Sequence, residues 1–284
     1  MSSTDEIASM LALEEIDPRH YLAQNLSGSS PVVFGGQILA QTVVAVGRAA
    51  SDKELKSLHT VFARGASPSH PLEIDVEPVQ QGRTFSSFLV SVHQGDRVCT
   101  SSVALLHEPE PDLIRHGSEL PSVARPGDLR SRAGEHPWWE LRVVDDVDLQ
   151  DPNDVGLPEV NVWSRFSLVP PETSADQALL AFASDGFLIS TAMRPHLGIG
   201  QAMAHHTIST SVVAQTISFH EPFDASQWLL LAHHSPYAGR GRSFGRADVF
   251  TEDGRLVASY SQENMIRNFP EGQSPAATGE PSKY

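Results

Sequence analysis

One cysteine, Cys99, is all that 284 residues contain, which rules out an internal disulfide and a cysteine-built metal centre. Cationic side chains are also scarce: 20 Lys and Arg stand against 35 Asp and Glu, for a formal charge of −15. Such a balance argues against nucleic acid or an anionic membrane surface as a partner, and leaves only local basic patches to receive an anionic substrate. No apolar run approaches bilayer length, and the opening Met1-Ser2-Ser3-Thr4-Asp5-Glu6 has neither the basic nor the apolar region of a secretion signal. A cytoplasmic protein without membrane insertion is therefore expected. Gly198-Ile199-Gly200 lacks the third glycine of a dinucleotide site, and His205-His206 and His233-His234 lack metal-ligand spacing, so no cofactor or metal is expected.

What the chain does have is a repeat. After Phe62 come Pro71 to Val79, Gly82-Arg83, Thr84-Phe85, a period-2 run, the turn Gln94-Gly95-Asp96, and a second period-2 run from Arg97. After Phe219 the same order returns as Trp228 to Leu231, Gly239-Arg240, Ser243-Phe244, a period-2 run, Asp253-Gly254-Arg255-Leu256 and a last alternating run. Two copies of one supersecondary unit follow from this register. In the first copy, Val32 onwards is apolar on nearly every side beyond Gly36, which predicts a helix buried all round. Strands are predicted at 58–64, 72–79, 84–93 and 97–106, where Phe88, Val90 and Val92 alternate. In the second copy, a strand at 160–168 precedes 178–183, which leads into Ser184-Asp185-Gly186 and the counterpart helix. Strands at 210–220, 228–234, 243–251 and 255–268 follow. The expected organisation is an N-terminal segment (1–30), a first unit (31–107), a surface linker anchored by Trp138-Trp139 (108–158), a second unit (159–269) and a loose tail (270–284).

A sheet wrapped around one buried helix, made twice and joined by a long crossover, is an α+β double hotdog: two tandem antiparallel sheets, each around a central helix. Four motifs make the likeness specific. Val33-Phe34-Gly35-Gly36-Gln37, Ala183-Ser184-Asp185, Phe219-His220-Glu221-Pro222-Phe223, and Asp253-Gly254-Arg255-Leu256 with Gln262-Glu263 and Arg267-Asn268 resemble those of the type II acyl-CoA thioesterases, the TesB family. The resemblance spans most of the chain outside the linker and tail. It implies hydrolysis of a fatty acyl-CoA to free acid and coenzyme A by activated water, with no cofactor and, by analogy, a homo-oligomer.

Aligning the two buried helices sets Asp185 opposite Gly36. Asp at a strand-to-helix junction can be a plain N-cap, or a base that takes a proton from water attacking the thioester. The resemblance points to the base. Gln262 is expected to share a strand face with Leu256, Ala258 and Tyr260, opposite Ala104 in the first copy, so its amide either bonds nearby backbone or aligns the water, as the resemblance implies. The third family position, a Thr or Ser, holds Val212, which lacks the hydroxyl. Adjacent Ser211 should face the other way unless a bulge turns it inward. The loss raises a second reading, an acyl-CoA-binding protein with weak or no turnover. Gly35, Gly36, Gln37 and Gly186 are the expected polarising backbone at helix starts, or else tight packing points. Arg240, Arg242 and Arg246 are candidates for coenzyme A phosphates, or solvated loop charges. Gly241-Arg242-Ser243-Phe244-Gly245 matches the hydrolase elbow G-x-S-x-G, but it opens a hairpin and no histidine follows Ser243, so it is set aside. A third reading, hydration of an enoyl-CoA, would need Asp185 paired with His196 or His205.

Overall fold

The computed structural model describes residues 3–26, 30–131, 136–172 and 174–278. The alternating runs of the repeat form the strands. In the first unit these are β3 (Glu54–Phe62), β4 (Leu72–Gln81), β5 (Phe85–Gln94) and β6 (Arg97–His107). Phe88, Val90 and Val92 are at most 2% exposed, so their face is the core face. In the second unit the strands are β8 (Glu159–Phe166), β9 (Ile208–Phe219), β10 (Leu229–Gly239), β11 (Arg242–Thr251) and β12 (Leu256–Asn268).

The two units share one sheet. β3 pairs antiparallel with β9, Thr60 against Gln215 and Val61 against Ala214, so the core order β4-β5-β6-β3 continues into β9-β12-β11-β10. Reading outward from the β3–β9 seam gives the same sequence of elements on both sides, which is the repeat seen in space. The expected pair of tandem sheets is thus one twelve-stranded sheet among the described residues.

The predicted first helix is α2 (Gly35–Ala49), with every residue from Gly36 to Val46 buried. Its expected counterpart is two helices, α3 (Ala175–Ser184) and α4 (Leu188–Met193), with Asp185 to Phe187 between them. α3 lies against α2, while α4 packs on β8 to β12 as the second unit's central helix.

Segments outside the repeat carry structure of their own. The N-terminal part holds α1 (Ser3–Leu11) and a hairpin of β1 (Leu13–Asp17) and β2 (His20–Ala23) that extends the sheet beyond β4. The linker contains β7 (Trp139–Val143), paired with β8. Trp138 is fully buried and Trp139 nearly so; their indole N–H groups donate to Glu6 Oε2 and Ser164 Oγ. Leu120, Val123 and Leu129 cover Trp163, Leu230 and Phe250 on the outer face of the second unit. In the tail, α5 (Pro275–Thr278) is tied back by Ala276 N–H donating to His206 O, and 279–284 lie outside the described residues.

Candidate active site

The break between α3 and α4 places Asp185. It is the C-cap of α3 in an αR conformation, and the N-cap of α4 is Phe187, so the N-cap expectation is corrected. Its side chain crosses to the other unit, where Oδ2 accepts the Gly36 N–H at 3.0 Å in the first turn of α2. The carboxylate therefore satisfies one of the free amides at the positive end of a helix from the opposite half of the repeat.

The paired glycines make this approach possible. A Cβ on Gly35 would sit 2.7 Å from Asp185 Oδ2, and one on Gly36 would overlap the Phe182 carbonyl oxygen and the Phe34 ring. Gly36 thus lets α2 and α3 touch backbone to backbone. As its amide is committed to Asp185, and that of Gly186 donates to Ala183 O, neither is a free donor for a substrate carbonyl. Gly35 N–H has no acceptor among the described residues and lines the same cavity. Gln37 is also corrected. Its backbone N–H donates to Phe34 O and so is not free for a substrate, while its side-chain amide accepts from Leu26 N–H and donates to Asn25 and Gln24, anchoring the chain that leads into α2.

Asp185 keeps some solvent exposure as a residue, but its Oδ1 is enclosed and has no partner among the described residues. Burial penalises the charged form and pushes the carboxyl pKa up to about 7, only partly opposed by the Gly36 bond. A base poised there changes charge across neutral pH.

Gln262 is 1% exposed on β12 and donates through Nε2 to Ser184 O at 3.0 Å and Gln215 Oε1 at 2.7 Å. Gln215 in turn donates to Ser184 Oγ. Two strand amides thus clasp the residue just before Asp185, while Gln262 Oε1 is buried with no partner among the described residues. Ala258 and Tyr260 share this inner face as expected. Leu256 does not: consecutive Val249 and Phe250 of β11 pair with Ala258 and Leu256, so β12 bulges at Val257, and Leu256 packs with the outer cluster. Gln215 went unnoticed in the sequence, yet it sits two residues before Ile217 and four before Phe219 on the buried side of β9, the same parity signal that singled out Gln262.

The bulge foreseen on β9 exists, but at Val213: Ala214 pairs with Glu263 and Val212 with Asn264. Val212 therefore keeps the Gln262 face, and Ser211, opposite Met265, alternates away from it. Both border a cavity of about 680 Å³ between the halves, along with Asp185, Gly35 and Gly186. Phe34, Phe62, Trp139 and Leu141 give it apolar walls, two of them from the linker. His205 is in this cavity, whereas His196 lines a separate one of about 480 Å³ with Arg242 and Arg267. Arg240, Arg242 and Arg246 are exposed, and none lines the Asp185 cavity, so the coenzyme A expectation for them is not met by the geometry. The arginine that does line it is Arg64. Ser243 is buried at the start of β11 next to Asn264, in a hairpin and not an elbow. No cluster of metal-ligating side chains occurs among the described residues.

Two family models match, the acyl-CoA thioesterase N-terminal domain over residues 23–107 and the C-terminal domain over 118–266. The chain belongs to the acyl-CoA thioesterase family. It is 30% identical to acyl-CoA thioesterase 2 of Haemophilus influenzae, over 91% of this chain and 96% of that protein. It is 26% identical to human acyl-coenzyme A thioesterase 8, over 93% and 90%. The crystal structure of the acyl-CoA thioesterase II TesB2 of Mycobacterium marinum superposes with a TM-score of 0.77 at 27% identity, covering 95% of this chain and 99% of that one. For this thioesterase the double hotdog architecture and the reaction class, hydrolysis of an acyl-CoA thioester, are those the four sequence motifs pointed to.

Proposed function

We propose that the thioesterase reaction runs in the Asp185 cavity, on a fatty acyl group held by its apolar walls. The observation that carries this is the pair of buried oxygens without a partner among the described residues, Asp185 Oδ1 in the cavity wall and Gln262 Oε1, whose amide is bonded to Ser184, the residue before Asp185. Asp185 takes a proton from water as its oxygen attacks the thioester carbon. Gln262 Oε1 accepts the second water hydrogen and sets the angle of attack. Negative charge on the former carbonyl oxygen is met by Gly35 N–H and the positive end of α2. Collapse breaks the C–S bond, and protonated Asp185 returns its proton to the departing sulfur, giving the carboxylic acid and free coenzyme A.

Thiol release across short, medium and long acyl-CoAs tests the reading. Release is expected, with longer chains gaining affinity until the apolar walls are filled; tight binding with no release of thiol would instead support the non-hydrolytic alternative. Arg64 is the cation placed to receive a coenzyme A phosphate. Arg64→Ala is expected to raise KM at least fivefold, on the order of 1 kcal/mol for a solvent-exposed charged contact. A larger KM effect from Arg242→Ala than from Arg64→Ala would move the nucleotide end to the other cavity.

Gln262→Ala is expected to lower kcat by roughly ten- to a hundredfold, and to cost about 1–3 kcal/mol of stability, because Ser184 O and Gln215 Oε1 lose their donor. Unchanged turnover per folded molecule, checked with thermal melts, would leave Gln262 a structural tie only.

Self-association is proposed through the outer face of the first unit. There Phe85 and Leu89 (each 49% exposed) and Val103 (50%) are bare, whereas the matching face of the second unit lies under the linker. Light scattering of wild type against Leu89→Glu tests it: a lower mass is expected for the variant.

A further inference from the structure

The cavity of about 480 Å³ has no part in the chemistry above, and α4 with the chain after it divides the two cavities. Ile189 and Ser190 of α4 line the Asp185 cavity, whereas Ala192 and Met193 line the second; further on, Gln201 borders the first, and Ile199 and Ile208 the second. With Ile266 from β12, these side chains make the second cavity apolar. Its mouth is cationic: Arg242, Arg267 and His196 are exposed there, and no Asp or Glu lines it, in a chain that holds 35 acidic residues against 20 Lys and Arg. Arg242 donates to the neighbouring Gly241 O, and the Arg267 side chain has no partner among the described residues. The backbone fixes this pairing. β10 turns into β11 through Arg240 and Gly241 at φ 57° and 75°, the two positive angles of a type I′ hairpin. Ile266 N–H donates to Gly241 O at 3.1 Å, which ties the turn to β12 and holds Arg242 near Arg267. Arg267-Asn268, the end of the fourth sequence motif, is left unused by the Asp185 site; both residues line this cavity.

We infer that this cavity is a second ligand site, for an alkyl carboxylate whose chain lies on Met193, Ile199, Ile208 and Ile266 and whose head group meets Arg242 and Arg267. Cations without a counter-ion beside an aliphatic floor favour a ligand with an anionic head and an apolar body. A carboxylate suits the planar donors of a guanidinium, whereas the ribose and base of a nucleotide would meet an aliphatic floor that offers them no hydrogen bonds. A free fatty acid, the class of molecule that thioester hydrolysis releases, has the required form. The inference does not depend on hydrolysis taking place at Asp185.

Equilibrium dialysis of labelled decanoate against wild type, Ala238→Trp and Arg242→Glu/Arg267→Glu decides the matter. Ala238 is exposed and lines the cavity, so an indole there should block it without disturbing the core, and the charge reversals are likewise at exposed positions. Since the Asp185 cavity can hold decanoate of its own, the readout is the bound equivalent that Ala238→Trp removes. Ala238→Trp is expected to bind an equivalent fewer than wild type, and the charge-reversed variant to hold that equivalent about tenfold or more weakly, both with unshifted melting temperatures. Decanol, with the same chain and no charge, should occupy it more weakly than decanoate by a similar factor, and the decanoate affinity should fall as salt is added. Equal stoichiometry and affinity in all three proteins overturns the inference while leaving the Asp185 mechanism standing. Displacement of that equivalent by free coenzyme A also overturns it, by making the cavity the nucleotide end of the substrate site.

Discussion

Asp185→Asn should cut kcat by about 10²–10⁴, the usual worth of a positioned general base, while leaving acyl-CoA affinity near that of wild type. Asn matches the carboxylate in shape, and its oxygen can still accept the Gly36 N–H, so the cavity and the α2–α3 contact survive. In the wild type, kcat/KM should rise about tenfold per pH unit up to a midpoint near 7 and then level off, because only ionised Asp185 accepts a proton. The stability effect has the opposite sense. From its ordinary value of 3.8 up to about 7 the unfolded chain releases the Asp185 proton while the folded chain retains it, so the wild type loses stability across that window and no more above it. The Asn variant escapes this loss. Its melting advantage should be near zero at pH 4 and largest above pH 7, reaching at most about 4 kcal/mol, since the folded and unfolded midpoints differ by roughly three pH units and each is worth about 1.4 kcal/mol. Full activity in the variant, or a midpoint near 4 in the wild type, would remove Asp185 from the base role.

Gly36→Ala is expected to be the most damaging single methyl in the chain. The new carbon would meet the Phe182 backbone carbonyl, which cannot rotate aside, and the Phe34 ring, so α2 and α3 must separate. Overpacking against backbone should cost about 3 kcal/mol, or roughly 6–12 °C in melting temperature for a chain of this size. Turnover should fall as well, because the same amide holds Asp185 Oδ2. Gly186→Ala is the control. Its added carbon would be 3.4 Å from Ala183 O and 3.5 Å from Trp139, a near-ordinary contact, and a change within about 0.5 kcal/mol is expected. Equal losses from both substitutions, read by differential scanning calorimetry, would show that helix contact at Gly36 is not what holds the pair together.

What could be read from the chain follows from the range of the interactions involved. The strands were legible because core-facing side chains recur every second residue, and Asp185 and Gln262 stood out because the duplicate offers Gly36 and Ala104 for comparison. Failures came where one element meets another distant in sequence. Period-2 patterns specify faces and not edges, so nothing in β3 or β9 announced that they pair and merge two sheets. Sequence proximity groups Asp185 with the helix that follows it, α4, although its bond goes to Gly36, 149 residues away. Uninterrupted alternation puts Leu256 on the inner face with Gln262, and Val212 off the face that holds Gln215, Ile217 and Phe219; bulges on β12 and β9 move the first off that face and bring the second onto it. Arginine spacing carries charge but no depth, and so favours Arg242 over Arg64. Parity on β9 does mark Gln215, which shares the buried side with Ile217 and Phe219.

Because a carboxylate from the later copy meets the first turn of the earlier copy's helix, the proposed catalytic corner is owned by neither half. Expressed alone, residues 136–278 would carry Asp185 and Gln262 but no Gly36 to receive the carboxylate and no β3 to close the edge at β9. That piece should be inert and prone to stack through its open strand, and adding the complementary fragment should bring back solubility and hydrolysis together.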